Sequence, residues 1–326
     1  MVEENNRYDT QKRNSSTLQF FSNLIDYAGL FPPAQLPLEQ AIQNYAAYQK
    51  DKDVWMLGHF IIPASRLDEL DPYLSLFSKN NPLSVSAIVQ RSVDRIMCLE
   101  QLACDLEKIH SFHDKHGEVA QVQVLELPLP PVVPNRQLLE KISSLVKKHP
   151  LQLFCEVTVP LNDERWHQNM ILTLNEIAIF NNKGGLRMGL KLRTGGVTAN
   201  AFPTPQQVAA VMHACAERDI PQKFTAGLHH PIGMYRDEVN TYMHGFLNIF
   251  TAGMLARTNA WSVDALAEVL ADEDASHFTF TEEGARWKEH LVHVPDINYL
   301  RQYALCSYGS CSFDEPRDDL RTLNIL

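Results

Sequence analysis

The 326-residue sequence lacks the features that mark membrane-bound and secreted proteins. No stretch approaches the roughly 20 apolar residues that a membrane-spanning helix needs. The polar start, MVEENNRYDTQKRNSS, has no apolar segment of the kind that signal peptides carry. The six cysteines form no CxxC pair, which argues against a zinc ribbon or a dithiol redox motif. We therefore expect a cytoplasmic protein with reduced cysteines and no membrane partner.

Several nucleotide- and metal-binding motifs are also missing. Neither GxGxxG nor GxxxxGK(S/T) follows a predicted strand, which weakens a dinucleotide-binding or NTPase function. No HxH or HExxH spacing occurs, so a divalent metal is only weakly indicated. The formal net charge of −10 argues against nonspecific nucleic-acid binding, which needs clustered surplus cations. A small molecule is the expected partner, and a homo-oligomer is compatible with the sequence.

What the sequence does contain is an alternation of strand and helix patterns, typical of parallel βαβ units. The strands are expected near residues 18–28 and at 54–63, 83–90, 119–128, 151–160, 189–194, 223–228 and 276–282. Eight such units favour a closed (β/α)8 barrel, with an open doubly wound parallel sheet as the alternative. We expect residues 1–16 to form a flexible arm. Residues 17–326 are expected to form one barrel domain that ends in a C-terminal loop and helix.

The stretch 186–231 carries basic and imidazole groups at the expected carboxyl ends of two consecutive strands. In GLKLRT, Lys191 and Arg193 share one strand face, where Arg193 could clamp an anion and Lys191 could act as a base or form an imine. The alternative is a salt-bridge layer with Glu126 and Glu156. Lys223 is a second imine candidate, because a dry barrel could lower the pKa of its amine.

Other candidates lie at further strand ends. The loop Thr194-Gly195-Gly196 could present backbone N–H groups to an anion. His229 and His230 are candidates for proton transfer, and Glu156 for a general base. Asp26 could bind substrate, or stabilise the turn that follows it.

In the C-terminal tail, Ser310 and Ser312 are expected in an anion-binding loop, with packing of the tail against the barrel base as the alternative.

The residues from the sixth strand to HHP, together with Asp26, resemble metal-dependent barrel lyases, whose first strand gives an Asp and whose seventh gives two His. That resemblance implies a divalent metal on Asp26, His229 and His230, although this chain has HH where the family has HxH. The chain also resembles class I aldolases, which carry a lysine on a barrel strand. We expect a barrel enzyme of the aldolase or lyase type that acts on a small anionic, carbonyl-bearing metabolite. The alternatives are a metal-dependent hydrolase or lyase and a non-catalytic ligand-binding barrel.

Overall fold

The computed structural model describes residues 13–326. Its strands over this range are β1 Ile25–Tyr27, β2 Leu57–Pro63, β3 Leu83–Ile88, β4 Ala120–Pro128, β5 Gln152–Glu156, β6 Met188–Arg193, β7 Gln222–Thr225, β8 Met234–Arg236, β9 Thr241–Met243, β10 Phe278–Phe280, β11 Gly284–Trp287, β12 His290–His293 and β13 Leu305–Ser310. Eight of them close into a barrel in the order β1-β13-β7-β6-β5-β4-β3-β2. Every neighbouring pair in this ring is parallel. The predicted (β/α)8 barrel is therefore confirmed, and the open-sheet alternative is wrong.

Helices cover the outside of the barrel. They are α1 Ser15–Phe21, α2 Leu38–Tyr48, α3 Arg95–His116, α4 Arg136–Val146, α5 Trp166–Asn181, α6 Pro205–Glu217, α7 Phe246–Thr258, α8 Val263–Leu270, α9 Val294–Tyr303 and α10 Asp314–Thr322. A 3₁₀ segment at Ala64–Leu76, with Pro72 inside it, takes the place of a helix between β2 and β3. Within residues 13–326, no helix is both long enough and apolar enough to cross a bilayer.

Alternation along each strand divides apolar from polar side chains. In β6, Leu190 and Leu192 belong to the hydrophobic core shared with the helices. Lys191, between them, is also buried but pairs with carboxylates of β4 and β5. Successive strand residues point to opposite faces, so the outward face packs and the inward face carries charge. The interior of this barrel thus differs from the usual filling of branched apolar residues.

The eighth barrel strand is β13, and the prediction of a barrel strand at residues 276–282 is wrong. Residues Phe278–Phe280 instead form β10, the edge of an antiparallel sheet with β11 and β12 outside the barrel. β13 was missed because its inward positions hold Ser307 and Gly309, which break the apolar pattern expected of a barrel strand. The first strand is short, because residues Ser15–Phe21 are helical.

An ionic cluster joins the two ends of the described chain. The buried carboxylate of Asp53 lies 2.9 Å from the guanidinium of Arg13 and 3.7 Å from that of Arg317, and it also pairs with Arg321. Arg317 and Arg321 belong to α10, so this cluster ties the C-terminal helix to the start of the barrel. Residues 1–12 of the expected flexible arm lie outside the described residues. Residues 13–16 of that arm include Arg13 and the start of α1.

Candidate active site

A line of alternating charges runs through the barrel interior. The line begins at Asp26 on β1, at the end farther from the carboxyl ends of the strands. Asp26 is fully buried, and its Oδ2 pairs with the Lys223 ammonium of β7. Ser307 Oγ donates a hydrogen bond to the same oxygen at 2.7 Å. Asp26 Oδ1 accepts from the backbone N–H of His59 at 2.7 Å and lies 3.0 Å from His59 Nδ1. Asp26 is therefore held on all sides by groups of the chain itself.

The line continues toward the carboxyl ends of the strands through Glu126 and Lys191. Glu126 Oε1 lies 3.1 Å from Lys223 Nζ and accepts a 2.7 Å hydrogen bond from Ser86 Oγ. Glu126 Oε2 lies 2.6 Å from Lys191 Nζ. Lys191 Nζ in turn lies 2.9 Å from Glu156 Oε2. Each lysine thus sits between two carboxylates.

Strand register explains why the charges alternate. Lys191 and Lys223 are direct partners on β6 and β7, and Glu156 is the partner of Lys191 on β5. Two buried ammonium groups side by side would repel each other, and the Glu126 carboxylate between them removes that cost. The salt-bridge layer stated as the alternative for Lys191 and Arg193 matches these contacts, since Lys191 pairs with Glu126 and Glu156 and Arg193 lies near Glu156. Lys223 also belongs to the layer, through Asp26 and Glu126.

The pKa directions follow from these contacts. Burial alone would raise the pKa of Glu126, but the charges of Lys191 and Lys223 lower it to about 2. Burial would likewise lower the pKa of Lys191, yet the neighbouring carboxylates raise it above its ordinary value. The pKa of Lys223 is raised for the same reason, by Asp26 and Glu126. The expectation of a lysine with a depressed pKa is wrong, because burial here comes with two carboxylate partners for each amine.

Two arginines complete the line at the top of the barrel. Glu156 Oε1 lies 2.9 Å from an Arg91 guanidinium nitrogen and 3.6 Å from one of Arg193. The Glu156 side chain is only 3% exposed, whereas those of Arg91 and Arg193 are 61% and 45% exposed. One buried carboxylate thus orients two guanidinium groups that still have donors free for a ligand.

These arginines line an open pocket of about 450 Å³ at the carboxyl ends of the barrel strands. Among residues 13–326, the charged residues in its lining are three cations, Arg91, Lys191 and Arg193, and two carboxylates, Glu126 and Glu156. Three positive and two negative groups give this lining a net charge of +1, whereas the whole chain has a formal net charge of −10. In barrels of this kind, ligands bind at the carboxyl ends of the strands. The pocket therefore has the position and the charge to attract a small anion.

The two adjacent histidines play different parts. His229 lines the pocket, and its Nδ1 lies 3.7 Å from Cys311 Sγ. Burial, followed by the charge of His230, lowers the pKa of His229. His230 instead pairs with Asp319 of α10, 2.7 Å from its Nδ1. His229 is thus a neutral imidazole at the pocket, and His230 is held by the C-terminal helix.

The metal site implied by the resemblance to barrel lyases is not formed. Asp26 is enclosed by Lys223, Ser307 and His59, whereas His229 and His230 face Cys311 and Asp319. Within residues 13–326, no group of three or more His, Cys, Asp or Glu side chains is placed to hold a metal ion. The donors fail to converge because Asp26 and the histidines belong to different ion pairs. The residues present do not fit a divalent metal.

The loop Thr194-Gly195-Gly196 serves mainly to join two strand ends. Thr194 is buried, and its Oγ1 donates a 2.7 Å hydrogen bond to the Ala226 carbonyl. A Cβ on Gly195 would lie 2.8 Å from the Gly227 Cα, so the two loops approach too closely for a side chain there. Gly196 lines the pocket. The Thr194 N–H donates to the Thr225 carbonyl at 2.9 Å, and the substrate-binding role expected for this loop stays a prediction.

The serines of the tail also differ from expectation. Ser310 is the last residue of β13 and is buried, so it does not belong to an anion-binding loop. Ser312 Oγ accepts from the Glu315 backbone N–H at the start of α10. The lining of the pocket includes Gly309 and Cys311 from this segment instead. The inward alternation of β13 explains which residues reach the pocket.

Sequence reasoning missed Arg91, since nothing in the run VQRSVDR distinguishes it from an exposed loop residue. It also gave Cys311 no role, because the neighbouring imidazole of His229 is 82 residues away in the chain. A larger cavity of about 890 Å³ opens at the amino ends of the strands, near His59 and Gln152. Its described lining contains no Lys, Arg, Asp or Glu, so it offers no charge to an ionic ligand.

The fold and the pocket define a (β/α)8 barrel with a charged interior that is open at the carboxyl end. Comparison with known proteins adds little to this: no protein-family model and no curated protein matches the chain. A solved structure described as "The crystal structure of AsfvAP:AG" is similar over 93% of this chain and 96% of that chain, with 11% identity and a TM-score of 0.44. At that level the likeness carries no argument about what this chain does.

Proposed function

We propose that this protein is a lyase of the aldolase type that binds a small anionic, carbonyl-bearing metabolite at the carboxyl end of the barrel. The observation that carries the proposal is the pair of half-exposed guanidinium groups, Arg91 and Arg193, held on the single carboxylate of Glu156 beside an open pocket. Paired guanidinium groups suit the planar, bidentate geometry of a carboxylate. A 2-oxo acid, with its carbonyl next to its carboxylate, is the simplest ligand of this type.

Lys191 is the group that polarises the carbonyl in this proposal. It lines the pocket, and its amine is held as an ammonium by Glu126 and Glu156. A buried positive charge that is already held in place stabilises the negative oxygen of an enolate without having to reorganise. An imine with Lys191 or Lys223 is disfavoured, because the free amine that would attack the carbonyl is suppressed by the paired carboxylates.

His229 is the group that moves protons. Its pKa is lowered, so the ring is neutral at physiological pH and able to accept a proton. In the cleavage direction, His229 takes the proton of a hydroxyl group, and the adjacent carbon–carbon bond breaks. The bonding electron pair passes into the carbonyl group and forms an enolate whose oxygen is paired with Lys191. The proton then returns from His229 to the enolate carbon, so charge and atoms balance.

Exchange of the α-protons of 2-oxo acids in D₂O tests the proposal without knowledge of the natural substrate. We expect the wild-type protein to accelerate loss of the ¹H NMR signal of the C3 protons of pyruvate, 2-oxobutyrate or 2-oxohexanoate over the buffer background. His229→Gln should abolish exchange while binding persists, and Arg193→Gln should weaken binding. His213→Gln and Arg187→Gln are matched controls, since both residues lie on the surface and away from the pocket.

The outcomes separate the alternatives. Binding without exchange would favour the non-catalytic ligand-binding barrel over an enzyme. Exchange that survives both His229→Gln and Arg193→Gln would place the chemistry elsewhere in the molecule. Absence of both binding and exchange for every acid would contradict the proposal.

A further inference from the structure

The pocket has two chemically different walls. The wall formed by β1, β2 and the loops that follow them is mainly apolar and includes Phe31, Pro33 and Ile61 besides Ser65, and Ile88 and Val89 at the end of β3 extend it. The wall formed by β4 to β6 carries Glu126, Glu156, Lys191 and Arg193, and Arg91 joins this charged group from the loop after β3. In the ring of eight strands, β1 lies across from β5 and β2 lies across from β6. The apolar and charged walls therefore face each other across the opening.

The apolar wall is part of the folded framework. Within the loop after β1, the backbone N–H of Gln35 donates to the Phe31 carbonyl at 3.0 Å, and that of Leu36 donates to Gly29 at 2.9 Å. The Ala28 N–H donates to the Ser310 carbonyl at 2.6 Å, which fixes the loop to β13. These hydrogen bonds hold Phe31 at the rim before any ligand arrives. A preformed wall spares a ligand the cost of ordering it.

We propose that the substrate is a 2-oxo acid whose side chain is apolar beyond the hydroxyl group that His229 deprotonates; its carboxylate faces Arg91 and Arg193, and its apolar part lies against Phe31, Ile61 and Ile88. This inference rests on the proposed function and adds the identity of the side chain to it. A charged side chain against Phe31, Ile61 and Ile88 would lose its hydration without gaining a hydrogen-bond partner from these three residues. An apolar side chain gains by leaving water.

A homologous series of acids measures this preference directly. Isothermal titration calorimetry with pyruvate, 2-oxobutyrate, 2-oxopentanoate and 2-oxohexanoate should show Kd falling by about fourfold for each methylene that becomes buried. 2-Oxoglutarate is of similar length to 2-oxohexanoate but ends in a carboxylate, and it should bind more weakly. Ile88→Thr should reduce the dependence on chain length, whereas Ile179→Thr, on the outer surface of α5, should not change it. Phe31→Ala, at the rim, provides a second variant should Ile88→Thr fold poorly.

The results distinguish this inference from the function on which it rests. Equal Kd values across the series, or tighter binding of 2-oxoglutarate, would overturn the apolar side chain and leave the anion-binding enzyme intact. An unchanged chain-length dependence in both Ile88→Thr and Phe31→Ala would also overturn it. Failure of every acid to bind would overturn both proposals.

Discussion

Replacement of Lys191 by Met tests the charge line in the barrel. The substitution keeps a similar volume but removes the ammonium that lies 2.6 Å from Glu126 and 2.9 Å from Glu156. Removal of one partner from a buried ion pair costs about 3–5 kcal/mol, because the remaining charge stays buried. The lowered pKa of Glu126 agrees in direction, since Lys191 and Lys223 together stabilise its charged form.

The pH dependence has a definite sign. In the wild type, Glu126 has a folded-state pKa below its unfolded value, so its contribution is present above pH 4.5 and is lost as pH falls toward 2. In Lys191→Met, both carboxylates lose a cation and their pKa values rise, so protonation relieves the buried charge. The difference in free energy of unfolding between variant and wild type should therefore narrow as pH falls from 7.5 to 5.

Urea unfolding followed by circular dichroism measures that difference at the two pH values. Lys183→Met, at an exposed lysine, is the matched control and should leave stability unchanged. The double variant Lys191→Met/Glu126→Gln should recover part of the loss, because it also removes one of the unpaired carboxylates. A Lys191→Met protein within about 1 kcal/mol of the wild type at pH 7.5 would refute the reasoning. A loss that is equal at both pH values would refute it as well.

Three further outcomes follow from the same contacts. Asp53→Asn should lower the free energy of unfolding by about 1–3 kcal/mol in urea titrations, because a buried acceptor shared by several arginines loses its charge. An unchanged free energy of unfolding would contradict the stabilising role of this ionic cluster. Borohydride treatment with pyruvate should leave the protein mass unchanged, since Lys191 and Lys223 are held as ammonium groups, and a reduced adduct on either would contradict the ammonium assignment. His230→Gln should move the acidic limb of the profile of exchange rate against pH to higher pH, because the charge of His230 lowers the pKa of His229. An acidic limb at the same or a lower pH would count against His229 as the base.

The sequence predicts the barrel well because its signal is repeated along the chain. Seven of the eight predicted strand segments contain or overlap barrel strands. The alternation in GLKLRT correctly separates Lys191 from Leu190, which belongs to the core shared with the helices. The eighth strand escapes detection because Ser307 and Gly309 occupy positions where apolar residues are expected. That departure reflects the site: these positions face a charged interior that has no need of apolar filling.

The candidate site is less predictable, because its properties depend on neighbours that are distant in the chain. The pKa of Lys191 is raised by Glu126 and Glu156, and no local pattern shows that both carboxylates would reach it. The adjacent histidines look equivalent in sequence, yet one lines the pocket and the other pairs with α10. The tertiary arrangement and the strand register determine which partners these lysine and histidine side chains meet.

A crystal structure of the protein soaked with 2-oxohexanoate would test the central claim most directly. The account predicts density in the pocket at the carboxyl end of the barrel, with the carboxylate on Arg91 and Arg193 and the alkyl chain against Ile61 and Ile88. Density in the cavity at the amino ends of the strands would contradict it. So would an empty pocket at saturating acid with both arginines still turned onto Glu156.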